Sequence, residues 1–137
     1  MRGKVLIGAV GLLIGLHVTA AQAADVVQPS PSFVVPVGAD GVQRATIVLD
    51  SYSYTPNHLV VEAGKPVELT LTSVTTITPH NFIIRELSVD QDLSAGKTVV
   101  VSFTPTQTGV FPIYCDKKLP FFPSHREKGM EGTLEVR

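Results

Sequence analysis

The chain has 137 residues, 44% hydrophobic and 17% charged, with a formal net charge of −1. That length bounds one domain with a modest core. Scattered basic residues without a Lys/Arg stripe exclude a nucleic-acid face, and a single cysteine excludes an internal disulfide.

Arg2 and Lys4 supply a positive start, Val5 to Val18 is an apolar run, and Ala21-Gln22-Ala23 offers a small-residue cleavage site. Residues 1–23 therefore read as a signal peptide cut before Ala24, which sends the chain to the periplasm. The apolar run is short for a membrane span and is followed by small residues and Asp25. An uncleaved anchor is the alternative. Cleavage removes Arg2 and Lys4, leaving 9 basic against 12 acidic side chains, a charge of −3.

Residues 24–43 carry Pro29, Pro31, Pro36, Gly38 and Gly41 and read as an irregular N-terminal extension. The domain proper is expected over 44–137. Arg44 to Leu49 is β-rich, and His58 to Val61 is a second strand. After a turn at Ala63-Gly64-Lys65, Val67, Leu69 and Leu71 alternate with Glu68, Thr70 and Thr72, the period of a half-buried strand. Phe82 to Ile84 follow His80, Ala95-Gly96 turns, and Val99, Val101 and Phe103 alternate again. Gly109 opens the run that ends at Cys115, and Thr133 to Val136 closes the chain. Short strands between Gly/Pro turns, with no long helical periodicity, predict an all-β antiparallel sandwich.

Four residues carry chemistry. Cys115 ends its strand, His125 and Met130 follow before the last strand, and His80 opens an earlier one. Two imidazoles, one thiolate and a weak axial thioether are the ligand set of a mononuclear copper electron-transfer centre, because soft sulfur selects copper over harder ions. A lone thiol in an oxidising compartment is a liability that coordination and burial remove; the bland alternative is a buried cysteine acting as a small hydrophobe. His80 beside Asn81 has its own bland reading, satisfying backbone groups at a strand start, and Met130 could be plain core. Ser124 and Glu127 have the spacing of a capping box, and Gly129 suits a left-handed close, so His125 sits in a predicted one-turn helix that redirects Met130. His58 is set aside as a strand-edge residue, and His17 leaves with the signal peptide.

The segment Tyr54 to Val67, then Pro79-His80-Asn81-Phe82, the approach Gly109 to Cys115 and the ending Gly129 to Val136 together resemble the cupredoxin, or blue-copper, family over residues 44–137. The resemblance implies a Greek-key β-sandwich holding one copper ion through His80, Cys115, His125 and Met130. It has one departure: cupredoxins usually place the second histidine a few residues after the cysteine, whereas nine residues separate Cys115 from His125 here. Asp116 and Glu127 therefore remain open as alternatives to Met130. The second cysteine of a binuclear centre is absent.

The leading expectation is an electron carrier rather than an enzyme, working as a monomer with a redox partner protein. Ser124 to Gly132 is similar to the ending of cupredoxin-like proteins that accompany bacterial ferrous-iron permeases, which implies a membrane permease component as that partner. Leu119-Pro120-Phe121-Phe122-Pro123 offers an apolar docking face beside the site, with Lys117 and Lys118 to steer an acidic partner; capping the sandwich core is the equal alternative. Copper handling without redox turnover, and a metal-free adaptor built on the same fold, are the competing function classes.

Overall fold

Alternating apolar residues set the layers. A computed structural model describes residues 31–137, so the expected signal peptide and the start of the extension lie outside the described residues. In Val67–Ser73 (β5), Val67, Leu69 and Leu71 are fully buried and the residues between them are partly exposed. Opposite faces of one strand thus meet core and solvent, as a period of two requires.

Among the described residues ten strands form two sheets. One runs in the order Phe33–Val34 (β1), His58–Val61 (β4), Glu131–Val136 (β10), Gly109–Tyr114 (β9), His80–Ile84 (β6) and Val89–Leu93 (β7). The other runs Ser53–Thr55 (β3), Gln43–Asp50 (β2), β5 and Thr98–Phe103 (β8). Ile47, Leu49, Leu69 and Leu71 from the second sheet and Leu59, Phe82, Ile84, Ile113 and Leu134 from the first are buried in a single cluster between them. Each such side chain contributes roughly 1.5–3 kcal/mol of transfer free energy.

The expected β-sandwich is present, but its pairing is mixed rather than antiparallel throughout. β1 with β4, β4 with β10 and β2 with β5 are parallel, and the other pairs are antiparallel. The physical reason is the crossover. After the β2–β3 hairpin the chain enters the first sheet as β4 and returns as β5, so β5 meets β2 running the same way. Within the stretch expected to be irregular, β1 pairs with β4, Val35 is buried and Val37 bridges to Gln43. Gln43 opens β2, and its buried side chain closes on the backbone of Glu62 and Lys65.

This layout positions the chemistry. All five residues of β6 are buried, so His80 opens a strand that has no solvent face. β9 lies antiparallel beside it, with Ile83 opposite Tyr114, and delivers Cys115 one residue later. β10 pairs with β9 along its whole length, so the 115–130 connection leaves and re-enters at the same end of the sheet.

At the entry to β10 the backbone of Asn57 lies against Gly132. A Cβ there would be driven into the Asn57 carbonyl, which already accepts a hydrogen bond from the Thr133 N–H at 2.8 Å. Gly132→Ala should therefore lower the free energy of urea unfolding by about 1–3 kcal/mol, the usual cost of overpacking; an unchanged midpoint would show that β10 can give way.

Candidate metal centre

Three of the four candidate ligands meet at one end of the first sheet. His80, Cys115 and His125 each offer a donor atom, and these atoms all lie within 4.8 Å of one another. Cys115 Sγ is 3.4 Å from His125 Nδ1, and the two imidazole centroids are 5.2 Å apart. His80 and Cys115 are 0% exposed and His125 is 8% exposed, so only one edge of the group reaches the surface.

The long spacing between Cys115 and His125 does not displace the histidine. The His125 N–H donates to the Lys117 carbonyl at 2.8 Å, so residues 118–124 form an excursion that returns to its start. Where a one-turn helix was expected, residues 125–129 form a capped turn instead. Ser124 N and Oγ donate to the Glu127 carboxylate at 2.6 and 2.8 Å, and Glu127 N donates back to Ser124 Oγ at 3.2 Å. Gly129 takes a φ of +98°, which redirects the chain. Met130 is then fully buried: its N–H donates to the His125 carbonyl at 2.9 Å and its carbonyl accepts the Cys115 N–H at 3.2 Å. The two carboxylates held open as alternatives are exposed and engaged elsewhere, Glu127 with Ser124 and Asp116 with Asn81 Nδ2 at 2.8 Å. His58 lies outside the group, 3.5 Å from Glu135 in a half-buried contact across β4 and β10.

Asn81 escaped the sequence reading as a site residue. Its N–H donates to Cys115 Sγ at 3.4 Å, and its side chain exchanges two hydrogen bonds with Asp116, at 2.8 and 3.1 Å. This clasp ties the start of β6 to the end of β9. Tyr54 braces it from the other sheet, its hydroxyl donating to the Asn81 carbonyl at 2.7 Å. Adjacency of Asn81 to His80 was the only available signal; nothing in sequence links Tyr54 to a site beyond β6.

The sequence profile of the cupredoxin-like domain matches residues 10–134. The chain belongs to this family. No match is found among curated proteins. Solved structures share the fold. The Cu(I)-bound metal-binding domain of the Cu(I)-exporting P-type ATPase CopA from Streptococcus pneumoniae aligns at TM-score 0.61 and 19% identity, over 79% of this chain and 97% of that one. Reduced auracyanin from Roseiflexus castenholzii aligns at TM-score 0.56 and 18% identity, over 73% and 99%. Auracyanin A, a "blue" copper protein from Chloroflexus aurantiacus, aligns at TM-score 0.52 and 21% identity, over 69% and 99%.

The electrostatics of this cupredoxin-like centre favour neutral imidazoles, the form that binds a metal. Burial, seconded by the neighbouring charge of His125, pulls the His80 imidazole down to about 4 from its ordinary 6.5. Burial and then Lys128 lower His125 as well. The Cys115 thiol is pushed up by burial, against the backbone N–H groups of Asn81 and Lys117, which favour the thiolate. Both ring nitrogens of His80 are sealed from solvent without a hydrogen-bond partner among the described residues. An unsatisfied buried polar atom costs about 1–3 kcal/mol, and a metal accepting the imidazole lone pair removes one such defect. Two nitrogens and one sulfur, buried and mutually close, fit one copper ion.

The His80 shift has a definite sign in the metal-free protein. Its folded value lies below 6.5, so on acidification the unfolded chain takes up the proton first. The His80 contribution is fully retained above pH 6.5 and should be lost between pH 6.5 and about 4, amounting to about 3 kcal/mol. Urea titrations across this range should show a shallower decline for His80→Gln than for the wild type; parallel declines would mean that His80 is protonated without penalty.

Proposed function

We propose that this cupredoxin-like domain is a periplasmic carrier of single electrons, in which His80, Cys115 and His125 would hold copper with Met130 as a weak fourth donor. The observation that carries the reading is the convergence of one thiol and two imidazoles within 4.8 Å at a buried end of the sandwich. Met130 is favoured for the fourth position by its complete burial and by backbone bonds to both Cys115 and His125.

Copper supplies the one-electron couple; the protein supplies rigidity and access. The Asn81 N–H gives the sulfur a donor that stabilises its anionic form, and the Asn81–Asp116 clasp fixes the sulfur's strand against that of His80. Donors fixed by strands and a hydrogen-bonded turn need not move when the charge changes, which keeps reorganisation small. His125 is the natural port because it alone reaches the surface. A pocket of about 400 Å³ lies against it, lined by Ile77, Leu119, Phe122 and the lysines 117, 118 and 128, with no carboxylate among the described residues of its wall.

A redox partner with an apolar centre and an acidic rim suits this face. Phe121 is completely exposed, and Ile77, Leu119 and Phe122 are exposed as well, so the loop does not cap the core. Lys117 is committed to Asp92 at 2.6 Å, whereas Lys118 and Lys128 form no ion pair among the described residues. Export rests on the leader-like residues 1–23. An electron path from ferrous iron to a membrane permease component rests on the resemblance of residues 124–132 to proteins that accompany such permeases.

Copper handling is the second reading, favoured by the likeness in fold to a domain of a Cu(I)-exporting ATPase. Deep burial of three donors opposes it, because a metal to be handed on must be reachable. Reversible one-electron voltammetry without metal loss is expected of the carrier, and ready transfer of Cu(I) to a chelator is expected of the handler.

Protein loaded with Cu²⁺ should show an intense visible band from sulfur-to-copper charge transfer, and Cys115→Ala should abolish it while leaving the fold intact. A colourless complex with only nitrogen and oxygen ligation would sink the proposal. Oxidation of the reduced protein by anionic ferricyanide should slow several-fold in Lys118→Glu, with a flatter dependence on salt; an unaltered rate would detach this face from electron exchange.

A further inference from the structure

Tyr52 occupies a backbone conformation that its side chain disfavours. It is the second tip residue of the two-residue β2–β3 hairpin, in which Asp50 pairs with Ser53, and its φ is +63°. Turns with a positive φ at this position normally place Gly or Asn there, and a bulky aromatic is an outlier whose strain persists only where surrounding contacts impose it.

Those contacts lead to the metal centre. The Tyr52 ring packs edge-on against His125, with centroids 5.1 Å apart and an interplanar angle of 71°. Lys128 lies over the same ring at 4.4 Å, and its Nζ donates to the Tyr52 hydroxyl at 3.0 Å. Lys128 belongs to the turn that carries His125, its N–H donating to the carbonyls of Ser124 and His125. The hairpin comes from the second sheet, which supplies none of the converging donors. One side chain therefore joins that sheet to both His125 and the turn behind it.

We propose that Tyr52 is a positioning residue for His125, bracing the imidazole from the β2–β3 hairpin, and that the strained tip is retained because it aims this ring. The inference rests on His125 serving as a ligand in the proposed copper centre, but its central observable belongs to the metal-free protein. His125 is the ligand nearest solvent and lies on an irregular connection rather than a strand, so its ring has the least support from the sheets. Tyr52 supplies a second aromatic wall, from the opposite sheet, beside the His80 ring at 5.2 Å.

Two substitutions separate bracing from ordinary packing. Tyr52→Gly removes the ring and relieves the backbone, and Tyr52→Phe keeps the ring but loses the hydroxyl. In the metal-free protein Tyr52→Gly should unfold at an unchanged or higher urea concentration, while the ¹⁵N-detected signals of the His125 imidazole broaden relative to the wild type. Tyr52→Phe should keep those signals sharp. After loading, Tyr52→Gly should weaken Cu²⁺ binding about tenfold or more and alter the electron-paramagnetic spectrum, with Tyr52→Phe close to wild type. Sharp, unshifted His125 signals in Tyr52→Gly would overturn the proposal, as would a loss of fold in that variant accompanied by an unperturbed His125 in Tyr52→Asn, which tolerates the same φ. Wild-type protein that gives no sulfur-to-copper band would fail the electron-carrier reading instead, and the imidazole comparison would still decide the role of Tyr52.

Discussion

His80 lies at the start of a strand buried on both faces, with neither ring nitrogen given a partner among the described residues. Beside it, a buried thiol has the Asn81 amide at 3.4 Å and the His125 ring nitrogen at the same distance. Folding such groups out of water without satisfying them opposes stability, so the rest of the sandwich must hold them in place against relaxation. The Asn81–Asp116 clasp, the Tyr54 hydroxyl on the Asn81 carbonyl and the Met130 backbone between Cys115 and His125 all serve that end. They fix the spacing of the donors and leave the donor atoms themselves free for an ion. The hydrophobic cluster beneath, with Phe82, Ile113 and Leu134 fully enclosed, makes the defect tolerable.

Much of this was readable from the chain because side-chain alternation reports directly on burial. Val67, Leu69 and Leu71, the run up to Cys115 and the placement of His80 all translate into observed strands. The Ser124–Glu127 spacing and Gly129 were legible for a different reason: capping is a local interaction, and the residues that make it are neighbours in sequence. Strand direction was not legible, since a period of two is the same in parallel and antiparallel ladders. β7, read Val-Asp-Gln-Asp-Leu, and β1, flanked by Pro31 and Pro36, are too polar or too short to announce themselves. Phe121 and Phe122 show the limit of composition: apolar identity alone could not distinguish a core cap from the exposed loop observed.

The two sheets divide the work unequally. β6 and the 115–130 connection supply every converging donor among the described residues, whereas two tyrosines from the second sheet's β2–β3 hairpin support the surroundings of those donors. Tyr54 reaches Asn81 and stacks edge-on against Phe82 at 5.6 Å, and Tyr52 reaches His125. These contacts span 27 or more positions of sequence, and no local pattern encodes them. A tyrosine suits such a place because its ring packs in the interior while its hydroxyl bonds at the far end.

The same partition explains how an unusually long connection coexists with a tight donor set. The His125 N–H closes on the Lys117 carbonyl and the His125 carbonyl receives the Met130 N–H, so both sides of the histidine are pinned to the ends of the loop. Residues 118–123 then lie outside the geometric circuit that joins Cys115, His125 and Met130, while Ser124 caps the turn within it. Their length and apolar character affect what touches the protein at that end, while the hydrogen bonds that aim His125 stay the same. Loop-closure entropy grows only slowly with added residues, so the cost of such an excursion is small beside what it permits: an exposed Phe121–Phe122 face carried on a centre that it does not hold together.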